Sequence, residues 1–179
     1  MKKSAVFLSA SLLGGTLFAG QRLADIQIGI PCDGIPPVEK HLGSVQLTAQ
    51  EVKGTSKYTG KQGGVEATII YRCGDQGRLT EQEIIFTSAT QNEAYRIADE
   101  QRKALAGILG EPIHDGLNLE TWRKMLFGIL GADLDYLTSI VVWGRAKEDV
   151  MLLIRKIADD RWEITISQGS PKTEYILNS

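Results

Sequence analysis

The chain has little with which to do chemistry. Its 179 residues include only two histidines and two cysteines. His41 follows "VEK" and His114 lies in "GEPIHDGLN". Neither has a metal-ligand partner at helical or hairpin spacing, so each is expected to be a surface or structural residue. There is no Cys-x-x-Cys for redox work, and Ser139, Ser167 and Ser170 lack the G-x-S-x-G setting of a nucleophile elbow. No P-loop, dinucleotide fingerprint, H-E-x-x-H or calcium loop occurs. "TGKQGG" superficially resembles a phosphate loop, but a strand-like run follows it where a helix is required. The acid pairs Asp133/Asp135, Glu148/Asp149 and Asp159/Asp160 sit in turn sequences, where aspartate is favoured for backbone reasons, and not at positions suited to glycoside hydrolysis. No catalytic residue, metal or cofactor is expected. An excess of charge of one sign is missing too: 20 basic against 22 acidic residues give a net charge of −2, which argues against nucleic acid as the main partner.

What is present begins at the N-terminus. "MKKSAVFLSASLLGGTLFAG" opens with Lys2 and Lys3 and continues uncharged from Ala5 to Ala19. That run of about fifteen residues is shorter than the roughly twenty that span a bilayer, and it ends in the small residues Ala19 and Gly20. It reads as a secretory signal peptide over residues 1–19, with Leu17 acceptable at the third position before the cut. The mature protein is expected to be periplasmic or secreted and not to span the membrane. Its charge would be −4, from 18 basic and 22 acidic residues.

Export gives the cysteines a role. In an oxidising compartment Cys32, in "GIPCDGIPP", and Cys73, in "IIYRCGDQG", are the only pair available for an intramolecular disulfide. A catalytic thiol would need a neighbouring base, and the chain is poor in histidine. The bridge would pin the Pro-rich segment 20–43 to the end of a strand.

Beyond that segment, residues 44–168 carry the pattern of one domain and residues 169–179 that of a flexible tail. "VEKHLG" suits a short helical turn ended by Gly43. "SVQLTAQEV" alternates as a half-buried strand. "KGTSKYTGKQGG" reads as a mobile loop on its glycines. "VEATIIYRC" and "RLTEQEIIFTS", joined by "GDQG", form a hairpin with Val65, Ala67, Ile69, Tyr71 and Cys73 on one face. The period then changes. Thr90 and Glu93 make a capping box for a helix that carries Ala94, Ile97, Ala98, Leu105, Ala106 and Leu109 on one side and ends at Gly110–Pro112. "NLETWRKMLFGILG" is a second helix with Asn118 as its expected N-cap. "TSIVVWGR", "DVMLLIRKIA" and "RWEITISQG" are strands again. The order β-β-β-α-α-β-β-β predicts an α+β domain: one antiparallel sheet of about six strands, two helices on one face, the other face solvated or used for docking.

The partner-binding candidates are Lys53, Lys57, Tyr58 and Lys61, which gather positive charge beside an aromatic in the Gly-rich loop, and Trp143 if its sheet face is open. Trp122 and Trp162 read as core or half-buried anchors. In architecture, though in no motif, the strand–helix–strand layout resembles the two-layer folds of small secreted enzyme inhibitors. The expectation is an exported, non-enzymatic binding protein, an inhibitor or immunity-type protein with a protein partner in the cell envelope. A structural or accessory envelope protein and a small envelope hydrolase are the alternatives.

Overall fold

The computed structural model describes residues 19–47, 53–144 and 148–169. The expected leader (apart from Ala19), all of "TAQEV" and the tail after Gly169 lie outside these residues. In chain order the elements are α1 (Ala19–Asp25), α2 (Ile35–His41), β1 (Val45–Gln46), β2 (Thr55–Gln62), β3 (Val65–Cys73), β4 (Leu79–Ser88), α3 (Gln91–Leu109), β5 (His114–Asp115), α4 (Thr121–Ile129), α5 (Leu134–Ser139), β6 (Ile140–Gly144), β7 (Asp149–Ala158) and β8 (Arg161–Gly169).

The strands form one antiparallel sheet of eight, in the order β1-β2-β3-β4-β8-β7-β6-β5. The α+β class holds, with eight strands where about six were expected. One addition is β5, two residues long. The other is β2, which corrects the reading of 53–64 as a loop: Thr55–Gln62 pair with β3 over their whole length, Thr55 opposite Arg72 and Gln62 opposite Val65. Alternation is weak there because the inward positions are Ser56, Tyr58, Gly60 and Gln62, with a single large apolar side chain among them. Gly60 packs closely, since a Cβ there would sit 2.8 Å from Ser44 Oγ. Gly63 and Gly64, both at positive φ, turn the chain from β2 into β3, as a tight two-residue hairpin requires.

Burial follows the strand alternation. Ile69 and Tyr71 of β3, Ile84 and Phe86 of β4, Ile164 and Ile166 of β8, Leu152 and Ile154 of β7, and Val141 and Trp143 of β6 form one apolar cluster. Helix α3 covers this face with Ala94, Ile97, Ala98 and Leu105. Its start is the expected cap, Thr90 Oγ1 accepting from the Glu93 amide at 3.3 Å. The segment 20–43, read as irregular, contains two short helices that pack over the same face. Pro36 and Pro37 sit in the first turn of α2, where a missing N–H costs nothing.

That N-terminal segment is fastened twice. Cys32 and Cys73 form the disulfide. Around it Gly29 donates to Leu79 O at 2.7 Å, Leu79 to Ile30 O at 2.9 Å, and Cys32 to Gly77 O at 2.9 Å. Deeper in, the Arg22 guanidinium pairs with Glu39, which also accepts from the Tyr71 hydroxyl; Arg22 is 2% and Glu39 0% exposed. Arg22 Nη2 reaches Ser44 Oγ at 3.2 Å.

The two predicted helices do not share a face. Ile140 and Val142 are buried on the side opposite α3, where the chain between β5 and β6 packs. His114 Nε2 lies 2.8 Å from Leu137 O there. Gly116 is enclosed so tightly that a Cβ would come within 2.0 Å of Leu137 O and 2.5 Å of Ile140 O. Asn118 is not the N-cap of α4. It ends a 3-10 turn whose amide is held by Asp115 Oδ1 at 3.3 Å, and α4 begins after Glu120, whose side chain makes no capping bond.

Candidate functional site

Two surfaces stand out, one at each end of the strand order. The first is the sheet face turned away from α3. Across β2, β3, β4 and β8 the register aligns Lys57, Ile70, Glu83 and Ser167 in one row, and Thr59, Thr68, Ile85 and Thr165 in the next. Among the described residues no helix lies over these rows. Ile70 and Ser167 are buried at the centre, and the threonines and Ile85 are half-exposed. Arg72 is tied to Glu83 at 2.8 Å and Glu81 at 3.1 Å. The Glu83 carboxylate raises the already high pKa of that guanidinium, so it stays charged but engaged. Lys57 and Lys61 project from β2 on this face and are exposed, and Lys53 is exposed in the turn before it. Lys61 stands directly across from Glu66.

The other sequence-predicted candidates fall elsewhere. Tyr58 alternates with Lys57 and points into the core, 3% exposed, its ring edge-on to Tyr71 at 5.9 Å between centroids. Trp143 is on the face that α3 covers, 2% exposed, and donates from Nε1 to Gly110 O at 3.0 Å. It is a packing residue that ties the end of α3 to β6, not an exposed anchor. Trp162 packs edge-on against Tyr95.

The second surface was missed as such. Helix α4 has no buried residue. Met125, Ile129, Trp122 and Leu126 fall within an arc of roughly 100° at the helical period, and are 66%, 79%, 57% and 46% exposed. Phe127, on the opposite side, is half-buried, and Gly128 lies against Leu134. The helix is therefore amphipathic in reverse, its apolar stripe facing out. Periodicity identified the helix, but Trp122, read as a core or half-buried anchor, is exposed instead. The period does not say which way the stripe points, because a stripe looks the same whether it meets the core or solvent.

The histidines and acid pairs weighed for chemistry are dispersed over the fold. His41 is exposed at the end of α2. Asp133 caps α5, accepting from Tyr136 N at 3.1 Å. Asp159 and Asp160 form the turn between β7 and β8. Among the described residues no group of three or more His, Cys, Asp or Glu is placed to hold a metal ion, and no helix is long and apolar enough to cross a membrane. Ser170 lies outside the described residues. Compared with known proteins, the chain matches no family model, no curated protein and no solved structure.

Proposed function

We propose that this is an exported, non-enzymatic binding protein of the inhibitor or immunity type, which meets a protein partner in the cell envelope on the bare face of its sheet. One observation carries the reading: the sheet, packed on one side by α3, has among the described residues no helix over β2, β3, β4 and β8 on the other, where Lys57 and Lys61 project. A face with half-exposed Ile85 and threonines, buried Ile70 and Ser167 at its centre and exposed cations at one side has the make-up of a docking surface. The leader-like N-terminus and the Cys32–Cys73 disulfide support an oxidising compartment.

The test is chemical cross-linking of the protein in its own envelope, identification of the cross-linked partner, and reconstitution of the pair. Replacing Lys53, Lys57 and Lys61 together by Gln should then slow association several-fold and flatten its salt dependence, without lowering the melting temperature. Unchanged association kinetics would remove the lysine face from the interface. Turnover of cell-wall material by the purified protein would replace the binding reading with a hydrolase.

A further inference from the structure

Polar atoms without a partner gather where the N-terminal segment meets β2. They are Arg22 Nε, Glu39 Oε2, the Tyr58 hydroxyl, and both Oε1 and Nε2 of Gln62. Tyr58 and Gln62, 3% and 0% exposed, are buried as deeply as the Arg22–Glu39 pair. A buried polar atom left unpaired costs stability, and native folds pair nearly all of them. Among the described residues one further side-chain atom of this kind occurs, Gln82 Oε1 on β4.

The local structure explains why these residues meet. Tyr58, Gly60 and Gln62 follow one another along the inner face of β2 at every second position. Gly60 leaves a notch between the two side chains, and Ser44 Oγ lies against it. Ser44 is held there by its amide, which donates to Glu39 O at 3.0 Å, and its hydroxyl accepts from Arg22 Nη2 at 3.2 Å. The guanidinium therefore sits at the notch, with Glu39 beside it. Glu39 uses one oxygen, Oε1, for both Arg22 Nη1 and the Tyr71 hydroxyl, so Oε2 is left over. Tyr58 stands edge-on to Tyr71. Burial raises the pKa of both phenols, and the charge of Glu39 adds to it in each, so both keep their protons.

The leftover set is chemically mixed. Arg22 Nε, the Tyr58 hydroxyl and Gln62 Nε2 donate, while Glu39 Oε2 and Gln62 Oε1 accept. A cation would face Arg22 and an anion would face Glu39, so the occupant that suits them all is neutral. It must also be small, and must both donate and accept. We propose that ordered water is built into this junction, bridging Tyr58 and Gln62 of β2 to Arg22 and Glu39 of the N-terminal segment. The segment is then docked partly through water, beside the dry contacts that Leu23, Ile26 and Ile35 make in the apolar cluster. The junction is on the side of the sheet that α3 covers, so it is independent of the partner face proposed above.

Nuclear magnetic resonance of the unmodified protein tests this directly. The non-exchanging Cβ and Cγ protons of Gln62 should show cross-peaks to water of opposite sign in NOESY and ROESY spectra, the mark of water held in place. Stability gives a second readout, whose sign differs between a wet and a dry junction. Tyr58→Phe removes the hydroxyl alone, and Gln62→Met removes the amide at similar volume. If water bridges these groups, each change takes away one of its partners and should lower the melting temperature by about 2–4 °C. If the groups face one another dry, the same changes delete an unpaired polar atom and should raise it. Absence of the water cross-peaks overturns the proposal, as do Tyr58→Phe and Gln62→Met variants that both melt at or above the temperature of the parent protein.

Discussion

The least forgiving residues are charged and buried. Arg22 and Glu39 are withdrawn from water, and each is compensated mainly by the other. Breaking such a pair from one side leaves a bare charge in the interior, which costs about 3–5 kcal/mol, more than the pair contributes over an apolar replacement. Glu39→Ala should therefore lower stability to urea by about that amount, and the double change Arg22→Met with Glu39→Leu should cost much less than the two single losses added. Tyr71 completes the cluster. Burial, and then the negative charge of Glu39, push its phenol well above the ordinary value of 10.0. A raised tyrosine pKa means that the folded state holds its proton after the unfolded state has lost it. The stabilisation is complete below about pH 10 and is lost as pH rises beyond that. Urea midpoints taken on either side of pH 10 should fall with increasing pH, and the fall should be smaller in Tyr71→Phe.

At the scale of elements, the connection between β5 and β6 is the most exacting. Gly116→Ala would drive a methyl group into the Leu137 and Ile140 carbonyls, so the backbone from 116 to 140 must move. A loss of several kcal/mol is expected, against about 1 kcal/mol for removing the α3 cap with Thr90→Ala; thermal unfolding of the two variants decides it. How much of this could be read in advance depended on the element. Strands β3, β7 and β8 and helix α3 show their own periods, because each has one face on the core, and their limits agree with the sequence reading. Strand β2 does not, because its inward residues are small or polar and β3 holds it by backbone pairing. Helix α1 was hidden by the prolines and glycines after it, α2 was legible only in its second half as the turn at "VEKHLG", and α5 was hidden by its length of six residues. Trp143 was placed on a strand correctly, but alternation alone does not reveal which face α3 covers. The disulfide was legible because two cysteines leave only one pairing.

Across the whole molecule, the disulfide and the core share the task of holding the fold. Closing a loop with a sequence separation of 41 limits the unfolded chain by roughly 3–4 kcal/mol on a chain-entropy model. Replacing both cysteines by Ser should cost at most that much in urea and leave the circular dichroism spectrum unchanged, since the apolar cluster spans most of the sheet without them. Loss of the folded spectrum would mean that the bridge, and not the cluster, secures the N-terminal segment.

The strand order also runs as a timetable. Strands β1 to β4 are neighbours in sequence as in space, and so are β5 to β8, but the two series join only where β4 meets β8. Gln82 and Gln168, which bond across that seam, are 86 positions apart. A chain delivered from its N-terminus has everything needed for the first series, including Cys32 and Cys73, long before β8 arrives. Until then β4 keeps an open edge able to pair with another chain. The cysteines should therefore be oxidised on chains halted before Arg161, and the danger of misassembly should be concentrated in the interval before the last strand closes the seam.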